Sequence, residues 1–305
     1  MFISVIIPTF NGAHKIGNLL NSLLNQSFDS FEVIVVIDGS TDNTLKIISA
    51  FENKFDSFLM INQKNGGRSK SRNAGAKQAK GDILLFFDDD MRIEPNVLLL
   101  HKQHHQLNIN SVCIGTQLED FNVLQNDIQL YKAHCSRKWA KPLEENNGQI
   151  SSEKPYLTAA HFSISKSLFF EVNGFDEKLT DAEDFDLAVR LTLLGIKLYY
   201  NKNISGWHDD FITLKSYIKR VREYAKAHQK LVLIKPELYK NRFSDYQPNV
   251  PNKFKMFIYQ LFASKFLLST VESKNFSLFV PFKVRIKIYA IIIAAFGYYF
   301  PQNDL

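Results

Sequence analysis

Three consecutive carboxylates, Asp88, Asp89 and Asp90, follow an apolar run at residues 84–87. Carboxylates at the end of a buried segment repel one another, and a folded chain tolerates this mainly when a cation lies among them. Alternate residues of an extended segment point the same way, so Asp88 and Asp90 can converge on one ligand while Asp89 points elsewhere. Such hard oxygen donors suit Mg²⁺ or Mn²⁺ shared with phosphate oxygens. The alternative is a solvated acidic turn before the helix predicted from Pro95.

Two other polar clusters follow apolar runs earlier in the chain. Residues 8–12 (Pro-Thr-Phe-Asn-Gly) follow the run at 3–7, and residues 38–40 (Asp-Gly-Ser) follow the run at 33–37. Such short runs alternate with helical patterns, for example the i, i+3, i+4 spacing over 16–24. This alternation predicts an α/β protein with a mostly parallel, doubly wound sheet and helices on both faces. Ligands bind at the carboxyl ends of such strands, so we expect the polar clusters to meet at one edge.

The same patterns place the individual elements. Strands are predicted at 3–7, 33–37, 58–61, 83–87, 112–116, 156–164 and 197–200. Helices are predicted at 16–24, near 43–55, from Gly66-Gly67 to Lys80, from Pro95 onward, near 121–135, over 187–195 and over 215–242, with a polar loop at 143–154.

The polar clusters belong to longer motifs that follow one another in order. These are SVIIPTFNG at 4–12, VVIDGSTDNT at 35–44, NGG at 65–67 with RNAG at 72–75, GD at 81–82, FDDD at 87–90, GFDE at 174–177 and ED at 183–184. Together they resemble the motifs of the family 2 glycosyltransferases, which have a GT-A fold. The resemblance covers residues 3–210, about two thirds of the chain. Each motif alone is weak, but their common order makes the resemblance specific.

The resemblance implies a metal-dependent hexosyltransferase that uses a nucleotide sugar, usually a UDP-sugar, and inverts the anomeric carbon. Asp38 would lie near the base and Asp88 near the ribose. The full set implied to bind the nucleotide sugar is Pro8, Thr9, Asn11, Asp38, Ser40, Asn65, Gly67, Arg72, Asp88 and Asp89. Arg68 and Lys70 either touch phosphate or belong to a solvated face.

The same resemblance assigns the metal site. Asp90, together with Asp88 and with His208 of the segment Gly-Trp-His at 206–208, would hold the Mn²⁺ or Mg²⁺. The ion would offset the charge that develops on the departing nucleoside diphosphate. The alternative for His208 is a surface histidine beside Asp209.

Inverting transfer requires a base on the face of the sugar opposite the leaving group. Asp184 is the candidate, because the family places a carboxylate there at the start of a helix, and Glu183 would orient the acceptor or support the base. Alternatively, both acids only complement the helix dipole. His161 contacts donor or acceptor, or is a buried histidine with satisfied ring nitrogens.

Three other functions compete with transfer to a hydroxyl of a glycan or lipid-linked glycan in polysaccharide biosynthesis. A polyprenyl-phosphate glycosyltransferase needs no base, because its acceptor is already ionised, and Glu183 and Asp184 therefore argue against it. A non-catalytic nucleotide-sugar-binding relative is expected to have lost a metal or base position, and all are filled here. Nucleic-acid binding is not expected, because no groove-reading motif accompanies the positive charge.

The net charge of +6 is distributed unevenly along the 305 residues. Residues 1–214 carry 21 Lys and Arg against 26 Asp and Glu, whereas residues 215–305 carry 16 against 5. We therefore predict a catalytic domain at 1–214 and a basic, helical C-terminal extension at 215–305. The uncharged run at 288–300 is too short to cross a bilayer, since 13 residues of helix rise about 20 Å.

The extension suggests peripheral contact with an anionic membrane, with the apolar run at 288–300 entering the interface. The alternative is a helix packed on the catalytic domain or on a second copy. The N-terminus shows no export signal and the two cysteines, Cys113 and Cys135, suit reduced, buried thiols. We accordingly expect a cytoplasmic protein at the inner face of the cell membrane.

Overall fold

A computed structural model describes residues 1–239 and 250–305. The chain divides into two compact units. The first combines Met1–Asp120 with Ser136–Asp210, and the second combines Phe121–Cys135 with Phe211–Leu305. The predicted division after residue 214 stays a prediction, and residues 240–242 of the predicted basic helix lie outside the described residues.

The elements are numbered here in chain order. The strands are β1 Ile3–Thr9, β2 Phe31–Asp38, β3 Phe58–Gln63, β4 Ile83–Phe87, β5 Met91–Ile93, β6 Ser111–Ile114, β7 His161–Ser165, β8 Lys197–Tyr200 and β9 Gly206–His208. The helices are α1 Ile16–Leu24, α2 Thr44–Ser49, α3 Arg68–Gln78, α4 Val97–Leu107, α5 Asp127–Ala140, α6 Lys166–Glu171, α7 Glu183–Leu193, α8 Leu214–Ile234, α9 Pro236–Tyr239, α10 Lys253–Phe262, α11 Lys265–Val271, α12 Lys274–Phe279 and α13 Phe282–Ala294. A π-helical turn, Ala295–Tyr299, follows α13.

The first unit is built on a mostly parallel sheet with the strand order β3-β2-β1-β4-β7-β6-β8. Strands β3, β2, β1 and β4 are parallel to one another, while β7 is antiparallel to both of its neighbours. Alternate residues of β1 enter two separate cores: Val5 joins the core that contains α1, and Ile6 joins the core that contains Ala76 of α3. Helices therefore cover both faces, which confirms the predicted fold class.

The functional edge lies where the strand order reverses. Strand β2 lies on one side of β1 and β4 on the other, so the connections from β1 and β4 diverge and leave a crevice at their carboxyl ends. Helix α3 packs closely on this part of the sheet, because a Cβ at Gly75 would lie 2.6 Å from Cγ2 of Ile6. The sheet thus fixes the positions of the loops that carry the polar clusters.

Several elements differ from their predicted bounds. The helix predicted over 215–242 ends as α8 at Ile234, and α9 follows it at Pro236–Tyr239. The helix predicted over 187–195 begins earlier, at Glu183. The helix expected near 43–55 ends at Ser49, and a short 3₁₀ turn at Glu52–Lys54 follows it. The helix expected near 121–135 begins at Asp127, because Asn126 Oδ1 caps it by accepting a hydrogen bond from the backbone N–H of Gln129. Strand β7 begins at His161 rather than residue 156, because Thr158 forms a local turn that accepts from the N–H groups of Ala160 and His161.

The second unit is helical. Helix α8 begins at a capping box, in which Thr213 and Ser216 satisfy one another's backbone N–H groups. Its core joins α8, α11, α13 and the π turn through Ile218, Val221, Leu268, Val271, Tyr289, Ile292 and Phe296. In the described ranges, each helix is too short or too polar to cross a lipid bilayer.

The apolar run at 288–300 forms part of this core. Ile292 and Phe296 are fully buried, and Ile293 and Ala295 are buried beside them. This burial contradicts the prediction that the run enters a membrane interface. The run instead packs on other helices of the second unit, an arrangement that neither alternative described. A run of apolar letters does not reveal its own partner, which here is supplied by α8 and α11.

Candidate active site

A possible metal centre lies just beyond β4. Asp88 and Asp90 follow the strand, and β9 brings His208 to them because β5 and β9 pair with Met91 opposite His208. Ligand atoms of Asp88, Asp90 and His208 all lie within 4.8 Å of one another, and Asp90 Oδ1 lies 3.2 Å from His208 Nε2. Two carboxylates and one imidazole are a donor set that suits Mn²⁺ or Mg²⁺, so these residues fit the implied ion.

The charges around the triad favour ionised carboxylates. Burial opposes the ionisation of Asp90, but the His208 ring and the Lys15 ammonium outweigh it and hold the pKa of Asp90 far below its ordinary value. Burial likewise opposes the ionisation of Asp88, and the Arg72 guanidinium outweighs it, so that the pKa of Asp88 is also lowered. Both groups are therefore charged at neutral pH and ready to bind a cation.

Lys15 is a site residue that the sequence motifs did not reveal. It precedes α1, and its Nζ lies 2.9 Å from Asp89 Oδ1 and 3.4 Å from Asp90 Oδ2. Burial disfavours its charge, but Asp90 and Asp89 more than compensate, so the pKa of Lys15 is raised. The only signal in the sequence was an isolated lysine in the loop after β1, and such a residue is usually solvated.

Asp89 points away from the triad, as the alternation along the chain predicted. Its Oδ2 accepts a hydrogen bond of 2.5 Å from Thr9 Oγ1, and its Oδ1 contacts Lys15. Burial raises the pKa of Asp89, and Lys15 and Thr9 only partly offset that effect. Asp89 therefore ties the loop after β1 to the loop after β4.

The loops after β1, β2 and β3 surround a cleft of about 260 Å³ at the crevice. Eight of the residues that line it were implied to bind the nucleotide sugar or the metal, namely Pro8, Thr9, Asp38, Asn65, Gly67, Asp88, Asp89 and Asp90. The other four are Phe10, Lys15, Arg68 and Ser71. The carboxyl ends of the parallel strands thus bring the three polar clusters together at one edge.

Asp38 organises the floor of this cleft. Its carboxylate accepts hydrogen bonds from the backbone N–H groups of Gly66 and Gly67, at 2.9 and 2.8 Å, and its carbonyl accepts one from the Asn65 side chain. Gly67 has φ +88°, a conformation that glycine adopts without strain, and it is the N-cap residue just before α3. The predicted residues Asp38, Asn65 and Gly67 are therefore joined by hydrogen bonds that connect the loop after β2 with the loop after β3.

Asn11 and Ser40 connect the first two loops to one another. The backbone N–H of Asn11 donates to Ser40 Oγ at 3.0 Å, and Asn11 Oδ1 accepts from the backbone N–H of Thr41 at 2.8 Å. Asn11 has φ +50°, which asparagine tolerates better than most residues. Neither residue is among those that line the cleft. They instead join the loop after β1 to the loop after β2.

Arg72 lies between the metal triad and the two acids of α7. Its Nη2 donates to Asp88 Oδ1 and its Nη1 donates to Glu183 Oε1, each at 2.6 Å. The residue is almost fully buried, and its guanidinium also lies over the ring of Phe175 at 5.4 Å. The resemblance implied a contact of Arg72 with the nucleotide sugar, whereas in the structure both terminal nitrogens of Arg72 donate to carboxylates.

Asp184 differs from its neighbour Glu183 in surroundings. Glu183 is buried against Arg72, while Asp184 is half-buried and its Oδ2 lies 3.4 Å from the backbone N of Ala159. Burial and then the Glu183 charge raise the pKa of Asp184 to about 7. A carboxyl with this pKa is an effective proton acceptor at neutral pH.

His161 is a core residue. Its Nε2 lies 3.0 Å from His101 Nε2, and its Nδ1 lies 2.7 Å from the backbone oxygen of Thr116. His101 and His105 of α4 both contact Ser163 Oγ, at 2.7 and 2.8 Å. Burial lowers the pKa of His161 to about 4, so its ring is neutral near pH 7. Of the two alternatives for His161, the structure favours the buried histidine with satisfied nitrogens.

The two basic residues after Gly67 and the two cysteines differ in their surroundings. Arg68 lines the cleft, whereas Lys70 lines a different cavity beside Leu59 and Ile61 of β3. Cys113 is buried and Cys135 is half-buried, and neither forms a disulfide.

The known proteins that this chain resembles are glycosyltransferases. The family model for Glycosyl transferase family 2 matches residues 4–172. The poly(ribitol-phosphate) beta-N-acetylglucosaminyltransferase TarS of Staphylococcus aureus is 44% identical over 294 residues, an alignment that covers 83% of this chain and 50% of TarS. The chain therefore spans about half the length of that relative.

Two solved structures show the same fold. Residues 1-349 of S. aureus TarS in complex with UDP-GlcNAc superpose with a TM-score of 0.51 and 22% identity, covering 97% of this chain and 90% of that one. A mannosyltransferase from Pyrobaculum calidifontis in complex with GDP-Man and Mn²⁺ superposes with a TM-score of 0.61 and 15% identity, covering 96% and 85%. At these identities the likeness concerns the fold alone.

Proposed function

The chain belongs to glycosyl transferase family 2, and from this premise we propose that it transfers a sugar from a nucleotide sugar to an acceptor hydroxyl with inversion. The observation that carries the proposal is a carboxylate–histidine triad whose Asp88 is joined by Arg72 to Glu183, the neighbour of Asp184, a carboxyl with a raised pKa. A binding protein without catalysis would need neither the triad nor a half-exposed acid of this pKa.

The proposed donor is a UDP-sugar. The position of the cleft at the reversal of strand order supports this assignment, since nucleotides bind there in open α/β sheets. The relative TarS is named a beta-N-acetylglucosaminyltransferase, which makes UDP-GlcNAc the first donor to test. Pro8, Thr9, Asp38, Asn65 and Gly67 would face the nucleotide from the loops that line the cleft.

Asp88, Asp90 and His208 would hold the divalent ion, Mn²⁺ or Mg²⁺. When bound there, the ion supplies positive charge next to the diphosphate and stabilises it as a leaving group. The protein contributes two carboxylates that stay ionised and a histidine positioned by the pairing of β5 with β9. Asp89 and Thr9 hold the loops on either side of the donor in place.

Asp184 is the proposed base. Its carboxylate would accept the proton of the acceptor hydroxyl as that oxygen attacks the anomeric carbon from the face opposite the diphosphate. Glu183 is held by Arg72 and keeps negative charge beside Asp184, which raises the proton affinity of Asp184. Glu183 is therefore assigned a supporting role and Asp184 the transfer of the proton.

The acceptor is proposed to be a glycan or lipid-linked glycan in polysaccharide biosynthesis. The printed name of TarS, which acts on poly(ribitol-phosphate), supports a polymer hydroxyl as the acceptor. We also propose peripheral contact with an anionic membrane and a location at its cytoplasmic face. The excess of 16 basic over 5 acidic residues in 215–305 supports that contact. A polyprenyl-phosphate acceptor would leave Asp184 without a role.

The test is a screen of UDP-, GDP- and TDP-sugars, with and without Mn²⁺, that measures both hydrolysis and transfer. We expect UDP release from UDP-GlcNAc or another UDP-sugar that depends on Mn²⁺. A matched pair of variants, His208→Ala in the triad and the exposed His14→Ala as control, separates metal binding from general damage. We expect calorimetry to show weaker Mn²⁺ binding by H208A alone. No turnover of any donor together with no metal-dependent nucleotide binding would overturn the proposal.

A further inference from the structure

Helix α10 in the second unit leaves an apolar stripe in solvent. Phe254, Phe257 and Leu261 are 71%, 63% and 56% exposed, and their spacing of three and four residues puts them on one face of the helix. Exposed hydrophobic residues are ordinary when scattered, but three on one face of a ten-residue helix form a continuous surface. We call these three residues the α10 stripe.

The opposite side of α10 attaches it to the rest of the unit. Tyr259 stacks on Tyr299 of the π turn with ring centroids 4.5 Å apart, and Phe262 packs against the helical core. The stripe is therefore the face that α10 turns away from its own unit. Phe266 of α11 and Leu278 and Phe279 of α12 are exposed as well, at 75%, 76% and 83%.

Two lysines lie in the first turn of α10, while Lys265, just after the helix, pairs with Asp304 at 3.1 Å. Both lysines are exposed; Lys253 lies beside the stripe, whereas Lys255, four residues before Tyr259, lies toward the side of the helix that carries Tyr259. Residues 250–271 contain Lys253, Lys255 and Lys265 and not one Asp or Glu. Lysine side chains in such positions can extend along an apolar surface and keep their ammonium groups in the lipid headgroup layer.

We propose that the α10 stripe, together with the exposed Lys253 and Lys255 in the first turn of the helix, forms the surface by which this protein binds an anionic lipid membrane. An apolar face beside basic residues provides the two contributions that together give stable interfacial binding, namely buried apolar area and attraction to anionic headgroups. The inference rests on the proposed membrane contact and is independent of the transfer reaction.

The experiment is flotation of the full chain with vesicles of phosphatidylcholine containing phosphatidylglycerol, and with vesicles of pure phosphatidylcholine. We expect wild type to float with the anionic vesicles and the triple variant F254S/F257S/L261S to lose roughly tenfold or more of that binding. The matched control substitutes three exposed apolar residues of the first unit, as L107S/I109S/L194S, and we expect it to float like wild type. The variant K253E/K255E should lose the preference for anionic vesicles while keeping the stripe.

Each other outcome counts against the proposal. Equal flotation of wild type and F254S/F257S/L261S shows that the surface lies elsewhere, although the membrane contact stands. If wild type floats with neither kind of vesicle, the proposed membrane contact is wrong. The same conclusion holds if light scattering then shows that the stripe mediates self-association. Thermal unfolding of each variant by circular dichroism confirms that the second unit is still folded. Sugar transfer is not measured, so these results do not bear on the catalytic proposal.

Discussion

Arg72 Nη1 lies 2.6 Å from Glu183 Oε1, and this buried ion pair joins α3 to the first turn of α7. The other terminal nitrogen of Arg72 binds Asp88, so one guanidinium connects the proposed metal site with the acids beside the proposed base. Burial disfavours the charge of Arg72, but Asp88 and Glu183 outweigh it and raise its pKa. Arg72 is therefore permanently charged and holds both carboxylates in place.

Replacement of Arg72 by Met should destabilise the first unit by about 3 kcal/mol, because it leaves the buried Glu183 and the partly buried Asp88 without a countercharge. Urea unfolding measures the change. Arg68→Met, on the same helix but facing the cleft, is the control and should cost less than about 0.5 kcal/mol. Adding Glu183→Gln to Arg72→Met should recover part of the loss. A loss no larger than that of the control would contradict the bridging role of Arg72.

Asp184→Asn should abolish sugar transfer and leave UDP and Mn²⁺ binding nearly unchanged, because the amide keeps the shape of the carboxyl but cannot accept the proton. Transfer assays and calorimetry with UDP measure the two effects. Asp186→Asn is a poor control because Asp186 pairs with Arg190; Asp181→Asn, just before α7, is better placed. Full activity of D184N would remove Asp184 from the reaction.

The transfer rate should rise with pH and level off above pH 7. The base acts as the carboxylate, and the pKa of Asp184 is raised to about 7 by burial and then by Glu183. Below that value the carboxyl is protonated and the rate should fall about tenfold per pH unit. Single-turnover transfer with saturating donor measures the profile, and donor binding measured over the same range is its control. A rate independent of pH between 5 and 8 would argue for an acceptor that needs no base.

Lys15→Met should strengthen Mn²⁺ binding by roughly tenfold, because the ammonium near Asp89 and Asp90 repels a second cation. Calorimetric titration with MnCl₂ measures the affinity. Lys46→Met, on the exposed side of α2, is the matched control and should leave the affinity unchanged. Weaker Mn²⁺ binding by K15M would show instead that Lys15 organises the carboxylates for the ion.

The stability of the first unit should decrease as the pH falls from about 6.5 to 4. Burial lowers the pKa of His104 and His161 to about 4 and of His105 to about 3, so these rings stay neutral in the folded chain while the unfolded chain takes up protons. Each such histidine contributes a loss of about 1.4 kcal/mol per pH unit within that window. Urea unfolding at several pH values measures the slope.

His105→Gln should flatten this dependence by the share of one histidine, because an amide can still bond to Ser163 but does not titrate. His14→Gln, which alters an exposed histidine, is the matched control. An identical slope for H105Q and wild type would contradict the assignment of acid sensitivity to the buried cluster.

The mostly parallel sheet and its functional edge could be predicted from the sequence. Apolar strands that end in polar residues predicted that Thr9, Asp38 and Asp88 lie at one edge of a mostly parallel sheet, whereas the order of the strands came from the structure. The alternation of side chains after β4 also separated Asp88 and Asp90 from Asp89 correctly. These features are local or follow from a regular repeat, so they can be deduced without coordinates.

The tertiary structure decided which distant residues meet. His208 joins Asp90 through the pairing of β9 with β5, and Arg72 binds Glu183 because α3 and α7 pack against the same sheet face. Lys15 compensates the acidic cluster, and the run at 288–300 lies in a core while Phe254 and Phe257 remain in solvent. No local pattern encodes these contacts, because each depends on the free energy of burying a charge or an apolar side chain against partners far away in the chain.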